Sequence, residues 1–304
     1  MTKIRSTDGS NIQDRRGQGG GGFSIPGMQR SGGGAGFPIP TKGGGGILGL
    51  LVIAAIIFLP RLLGGSSSPN LITPDAAQTE QEQQAGDAEC STEIEQILCG
   101  AFNDAQDYWV REYPIAFEGE YEVTDMVWFT SAVDTGCGQA SSETGPFYCP
   151  ADHYVYLDIA FLEQLQDQFG AEGDLATAYI VAHELGHHVQ TLNGTNQQVQ
   201  NASGEQQRLL GVALELQADC LAGTWVYDAD RRRNEAGEDL IDQTELSEAL
   251  NAAAAVGDDR IQQQTQGRVD PESFTHGSSE QRESWFRRGY ETGDPNQCNT
   301  FDEV

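Results

Sequence analysis

Residues 183–187 read His-Glu-Leu-Gly-His. On an α-helix, positions i and i+4 share a face, so His183 and His187 can point at one metal ion. Glu184 lies beside them, placed to take a proton from a water that the metal activates. This is the core of a zinc-hydrolase centre. The chain has five histidines, His153, His183, His187, His188 and His276, and three fall within this turn and a half. Zinc in a hydrolase takes three protein ligands and keeps a fourth position for water, so a third ligand must come from elsewhere. The longer string His-Glu-x-x-His-x-x-Gly-x-x-His is excluded, because residue 190 is Gln and residue 193 is Asn. A carboxylate from a second helix is the other solution, and Glu215-Leu216-Gln217-Ala218-Asp219 offers one. Leu209, Val212, Leu216 and Cys220 make an apolar ridge there, with Glu215 and Asp219 on its flank. Glu215 is expected to bind the metal, and Asp219 to accept the far N–H of a ligand histidine. His276 and His153 are the reserve ligands.

The elements that must position these groups are legible in the apolar periodicity. Across Thr177–Leu192, Ala178, Val181, Leu185, Val189 and Leu192 recur at three- and four-residue spacing, roughly opposite the histidines. The helix therefore buries one side and turns His183 and His187 toward a cleft. His188, one turn beyond Glu184, is read as a flanking partner of the site or a solvent-facing residue. Further helices are predicted at Ser91–Glu112, Ala160–Phe169, Gln206–Asp228, Glu245–Gln264 and Ser279–Thr292. Strands are predicted at Tyr121–Val133 and His153–Ile159, where Val155, Leu157 and Ile159 alternate with Tyr154, Tyr156 and Asp158. The expected fold is a mainly helical, zincin-like α+β domain with a small β-sheet ahead of the active-site helix.

Composition divides the chain. Residues 1–46 are Gly-rich and basic, with little to bury, and are expected to be disordered. Ile47–Leu59 is an apolar run broken only by Gly49, and Leu62-Leu63 extend it. Residues 47–63 are read as an uncleaved transmembrane anchor, a cleaved signal peptide being the alternative. Residues 64–89 read as a flexible stalk and 90–304 as the catalytic domain. Six basic residues precede the run against two acidic ones, and beyond Arg61 the next basic residue is Arg111. The positive-inside rule puts the N-terminus in the cytoplasm and the catalytic domain outside it. All six cysteines follow the run, and an even number beyond an export segment implies disulfides, with Cys137–Cys149 the best pair and Cys220 a possible inert thiol. Residues 65–304 carry ten arginines, no lysine and forty-four acidic residues, which excludes nucleic acid as a natural partner.

The sequence resembles the bacterial putative neutral zinc metallopeptidases, membrane-anchored proteins, over nearly the whole chain. The resemblance is carried by Ser10-Asn11 to Asp14-Arg15-Arg16-Gly17 with glycines after it, and by the hydrophobic segment. It continues through Gly145 to Asp152, Val155-Tyr156-Leu157-Asp158, His183 to Gln190, Glu215 to Gly223, Phe274-Thr275-His276-Gly277 and Trp285 to Gly289. It implies peptidase chemistry on a peptide or protein substrate, with zinc as cofactor.

The expected mechanism is metal-assisted hydrolysis: Zn2+ on His183, His187 and Glu215, and Glu184 as the base that later returns its proton to the leaving amine. His276, just before a helix, is the candidate donor to the tetrahedral oxyanion, with Tyr156 behind it. An extended substrate is expected along the sheet edge near Tyr154–Asp158. Two readings from other classes compete. One is a zinc-bearing scaffold with little hydrolytic activity. The other is a non-peptidase amide hydrolase such as a deformylase.

Overall fold

A computed structural model describes residues 5–17, 88–162, 173–236 and 241–303. Residues 18–46, the apolar run 47–63 and most of the predicted stalk and of the 160–169 helix lie outside the described residues.

Strand β1 (Ile12–Asp14) is followed by α1 (Glu93–Ala116). Then come β2 (Met126–Phe129), a hairpin of β3 (Ala132–Thr135) and β4 (Gly138–Ser141), β5 (Phe147–Cys149) and β6 (Tyr154–Asp158). The remainder is helical: α2 (Asp174–Leu192), α3 (Thr195–Asn201), α4 (Gly204–Ala236), α5 (Gln243–Ala255), α6 (Asp258–Gln266) and α7 (Ser279–Thr292). The expected class, mainly helical α+β with a small sheet ahead of the active-site helix, is what the chain adopts.

The four-stranded sheet has the order β1-β2-β6-β5, with β1, β2 and β6 parallel and β5 antiparallel to β6. Alternate residues divide its two faces. Met126, Trp128, Val155 and Leu157 join the main core against the helices, while Val127, Phe129, Phe147 and Tyr156 form a second cluster with Val133 and Ala140 of the hairpin. The 121–133 stretch is thus two strands, broken at Ser131, which adopts φ 69°. Likewise 245–264 is two helices, broken at Val256-Gly257, where any side chain on residue 257 would collide with Ser279.

Helix α1 begins at a capping box in which Thr92 Oγ1 accepts from the Glu95 N–H and the Glu95 carboxylate accepts from the Thr92 N–H. Helix α4 is long and apolar enough to cross a bilayer by composition, but most of it is buried within the protein. It is the central core helix, carrying Glu215 and Asp219.

The reading of residues 1–46 as disordered fails for 5–17. Ile12 is buried in the main core, and β1 pairs with β2 in register Ile12↔Met126. Hydrogen bonds from Met126 N to Asn11 O and from Arg15 N to Trp128 O are both 2.9 Å. Arg16 pairs with Glu95 at 2.7 Å, its guanidinium 4.9 Å from the Trp128 ring centroid, and Arg5 reaches Asp174 at the start of α2. The stalk reading fails at its last residues in the same way, since the Ala88 N–H donates to Ile12 O. Composition missed this because one isoleucine and two arginines inside a Gly-rich leader look unremarkable until their partners are known. The pairing also corrects the topology. A single crossing within 47–63 would place residues 12 and 126 on opposite sides of about 30 Å of hydrocarbon, whereas they are backbone neighbours.

All six cysteines are paired, as Cys90–Cys99, Cys137–Cys149 and Cys220–Cys298. The expected pair is present, but Cys220 is not an inert thiol: it ties α4 to the C-terminal segment.

Two predictions follow from the docked N-terminal strand. In sealed membrane vesicles, epitope tags placed before residue 5 and after residue 303 should be digested together or protected together; digestion of one alone would mean that β1 is not paired within its own chain. Burial opposes charge on Glu95, but the Thr92 N–H and Arg16 outweigh it and lower its pKa from 4.5 to about 2. This contribution is full above pH 4.5 and is lost as pH falls toward 2. Glu95→Gln should remove a pH-dependent contribution on the order of 1–3 kcal/mol, measured by urea unfolding across that window; an unchanged slope would show that the pair contributes nothing.

Candidate metal centre

Helices α2 and α4 cross at Gly186, the fourth residue of the His-Glu-Leu-Gly-His string. A Cβ on Gly186 would lie 3.0 Å from Ala218 Cα and 3.1 Å from Ala218 O, so the close approach depends on glycine. That approach carries Glu215, one turn before the crossing on α4, up to the histidines. Glu215 Oε2 is 3.4 Å from His183 Nε2, and Oε1 is 3.6 Å from His187 Nε2. The two imidazole rings stand nearly perpendicular, 4.8 Å between centroids. Among the described residues, His183, His187 and Glu215 are the set whose ligand atoms converge, all within 4.8 Å of one another.

This donor set fits zinc. A tetrahedral ion with bonds of about 2.0–2.1 Å separates its ligand atoms by about 3.4 Å, close to the two distances found. The outer partners fix the tautomers to match. His183 Nδ1 lies 2.8 Å from Asp219 Oδ1 and His187 Nδ1 lies 2.8 Å from Gln190 Oε1. Each imidazole thus gives its Nδ1–H to an oxygen and keeps its Nε2 lone pair for the metal. The Gln190 amide is oriented by its own bonds, Nε2 donating to Leu214 O at 2.7 Å and to Gln217 Oε1 at 3.1 Å.

Asp219 takes the place expected of it and more. It is fully buried and accepts from His183, from Arg282 Nε at 2.8 Å and Nη2 at 2.9 Å, and from the Tyr179 hydroxyl. Burial works against its charge, but Arg282 and His183 hold its pKa below the usual carboxylate range. Burial likewise opposes charge on His183, yet Asp219 and Glu215 raise its pKa to about 9. Glu215 is held ionised against burial by His187, His183 and His276. Glu184 is different. Burial raises its pKa, only partly countered by His183 and His187, and the Tyr148 N–H donates to its carboxylate.

His276 is in the same cleft, with His183, Glu184, Glu215 and Arg282. Its Nδ1 lies 3.2 Å from Asp258 Oδ1 and 3.0 Å from Thr275 Oγ1, while its buried Nε2 has no protein partner. Asp258 also accepts the backbone N–H groups of Thr275, His276 and Gly277, which pins the whole loop.

Several residues expected at the site lie outside it. Tyr156 is on the far face of the sheet, stacked on Phe147 and donating to Asp152 at 2.7 Å, so it cannot stand behind His276. His153 has φ 66° and packs its ring on Tyr148 and His188, not with the metal set. His188 is buried, neither solvent-facing nor a ligand: Nε2 donates to Glu122 O at 2.6 Å and Nδ1 faces the Tyr148 hydroxyl at 3.0 Å. Burial lowers its pKa to about 4, so it is a neutral strut between α2 and the sheet. Strand β6 is flanked on both sides, so the sheet edge nearest the site is β5. Sequence reasoning missed Tyr179, Gln190, Asp258 and Arg282. Tyr179 and Gln190 carried a signal, standing one turn to either side of the histidine pair, but Asp258 and Arg282 carried none.

Two helices meet at a glycine here, one bearing His183-Glu184-x-x-His187 and the other a carboxylate with a second one a turn later, an arrangement that suits a metallohydrolase. The family described as "Putative neutral zinc metallopeptidase" matches residues 1–301, and the chain belongs to that family. The chain is 40% identical over 301 residues to the "Uncharacterized protein YpfJ" of Escherichia coli K12, covering 97% of this chain and 96% of that protein. It is 52% identical over 191 residues to the "Uncharacterized protein Rv2575" of Mycobacterium tuberculosis H37Rv, covering 60% and 63%. No solved structure matches the chain.

The two carboxylates of α4 should separate by experiment. Glu215→Ala should lose tight zinc binding, since two histidines are too few ligands. Asp219→Ala should keep zinc with affinity weaker by about 10–100-fold. Metal titration of both variants checks this, and the reverse order would make Asp219 the ligand.

Proposed function

We propose that this protein is a zinc-dependent metallopeptidase that hydrolyses peptide bonds in an exported, membrane-attached setting. The observation that carries the reading is the convergence of His183, His187 and Glu215, with Glu184 and His276 in the same cleft. A zinc ion bound there would supply Lewis acidity and a water with a pKa of about 7.

The protein's own groups supply the rest. Glu184 takes the proton from the attacking water and returns it to the leaving amine. Burial lifts its pKa toward the working pH, which suits a group that must both accept and release a proton. The Tyr148 N–H keeps its carboxylate from turning away. His276 directs Nε2 at the oxyanion that forms when the carbonyl is attacked. The Asp258 carboxylate, whose pKa His276 lowers in spite of burial, holds the ring through Nδ1 and so aims Nε2 into the cleft. Arg282 acts through Asp219 and positions His183.

Three disulfides support an oxidising compartment. The apolar run Ile47–Leu59 supports attachment to a bilayer, on terms that leave residues 5–17 and the catalytic domain on one side.

The deciding measurement is peptide-library cleavage by the zinc-loaded protein, with and without chelator. Glu184→Gln should retain zinc while kcat/KM falls by about 10²–10⁴-fold. Cleavage by Glu184→Gln at the parent rate would mean that Glu184 is not the base, and no cleavage by the zinc-loaded parent would sink the peptidase reading in favour of the scaffold or another amide hydrolase.

A further inference from the structure

We infer that the cleft contains an apolar side-chain pocket that makes the enzyme selective for a bulky aliphatic or aromatic residue directly adjoining the scissile bond. The inference rests on the peptidase reading above. The cleft holds roughly 600 Å³ counted with its open mouth. His183, Glu215, Glu184 and His276 form part of its wall. The rest of its wall includes Phe161, Ile180, Val256 and Ile261.

Three features tie that wall to the reacting atoms. Ile180 stands three residues before His183 and four before Glu184 on α2, so it shares their face, about 5–6 Å away between Cβ atoms. Val256 and Ile261 bracket Asp258, the residue that holds His276, so the opposite wall is fixed to the oxyanion donor. A side chain one bond from the attacked carbonyl therefore has this surface within reach. Phe161, Ile180 and Val256 pack together around Ala255 while each remains partly exposed. That is apolar surface left open inside a cleft, unlike the closed main core.

The charge pattern points the same way. Arg282, the cation on the cleft wall, is committed to Asp219, Tyr179 and the Val256 carbonyl. Among the described residues the apolar wall of Phe161, Ile180, Val256 and Ile261 offers an acidic side chain no cation, and a desolvated charge without a partner is strongly rejected. Burying a leucine or phenylalanine there should favour such substrates by about tenfold to a hundredfold in kcat/KM over glycine.

The test is cleavage-site profiling of the zinc-loaded full chain on a peptide library that varies both residues flanking the bond. The expected profile has leucine, isoleucine, methionine or phenylalanine preferred at one flanking position by at least about tenfold over glycine and aspartate, and tolerance at the other. Ile180→Glu, at a partly exposed position, should keep its zinc, lose at least about tenfold on the apolar substrates and gain on lysine and arginine. Val256→Ala should move the optimum toward larger aromatics, and it decides the matter if Ile180→Glu fails to fold. Cleavage with a flat or acid-preferring profile, or an unchanged profile in the folded variants, overturns the pocket and leaves the peptidase reading standing. No cleavage of any peptide by the zinc-loaded parent overturns both.

Discussion

Asp219 is a carboxylate with no access to water, and the geometry of the site depends on satisfying it. It accepts from His183 and Tyr179 on α2 and from two nitrogens of Arg282 on α7. Left with fewer partners, a buried carboxylate would cost several kcal/mol or take up a proton. With them it stays ionised, and three helices are locked in rotation about one point. Because Glu215 lies one turn earlier on α4, the rotation that satisfies Asp219 also turns Glu215 toward the histidines. Arg282 has a second effect: it shares Asp219's charge, so His183 is oriented by a carboxylate that does not simply strip its proton.

The same helices meet through missing side chains. Gly186 admits Ala218, and Gly289 of α7 lies against the Cys220 backbone, where any Cβ would collide. Close crossings of this kind leave little tolerance for sliding, which suits ligands that must be placed to a fraction of an ångström. The Cys220–Cys298 bridge closes 78 residues, spanning α5, α6, the His276 loop and α7. In the chain-entropy picture a loop of that length is worth about 4 kcal/mol, and it keeps the His276 loop and α4 in one cooperative unit. Gln217 to Cys298 O and Thr300 to Ala213 O extend the tie along α4.

The N-terminal strand shows how far a short segment can constrain a long chain. Three paired residues, two arginines and one buried isoleucine join residues 5–17 to the sheet and to the starts of α1 and α2. The strand pairs with β2 on the side away from β6, so β1 rather than β2 is the sheet edge there. The hydrophobic run lies between two segments that belong to one folded body, and that rules out the simplest topology that charge distribution favours.

The sequence alone determined the core of the candidate metal site, because His183, Glu184 and His187 are neighbours on one helix and the 3.6-residue period fixes their common face. It also determined the main helices at 91–112, 177–192, 206–228 and 279–292, the alternation of β6 and the pairing of Cys137 with Cys149, all of them local in the chain. Glu215 and Asp219 were legible for the same reason, once a third ligand was required. Only the tertiary structure decided which protein groups hold those residues in place. Asp258, 18 residues from His276, and Arg282, 63 residues from Asp219, meet their partners through helix packing, which leaves no periodic trace. Tyr156 and His153 had suitable chemistry but the wrong face, because strand alternation says which residues share a side and not which side meets the site. The docking of Ile12, 114 residues from Met126 in the chain, depends on a register that no local pattern encodes, so a segment that composition assigned to disorder became the edge of the sheet.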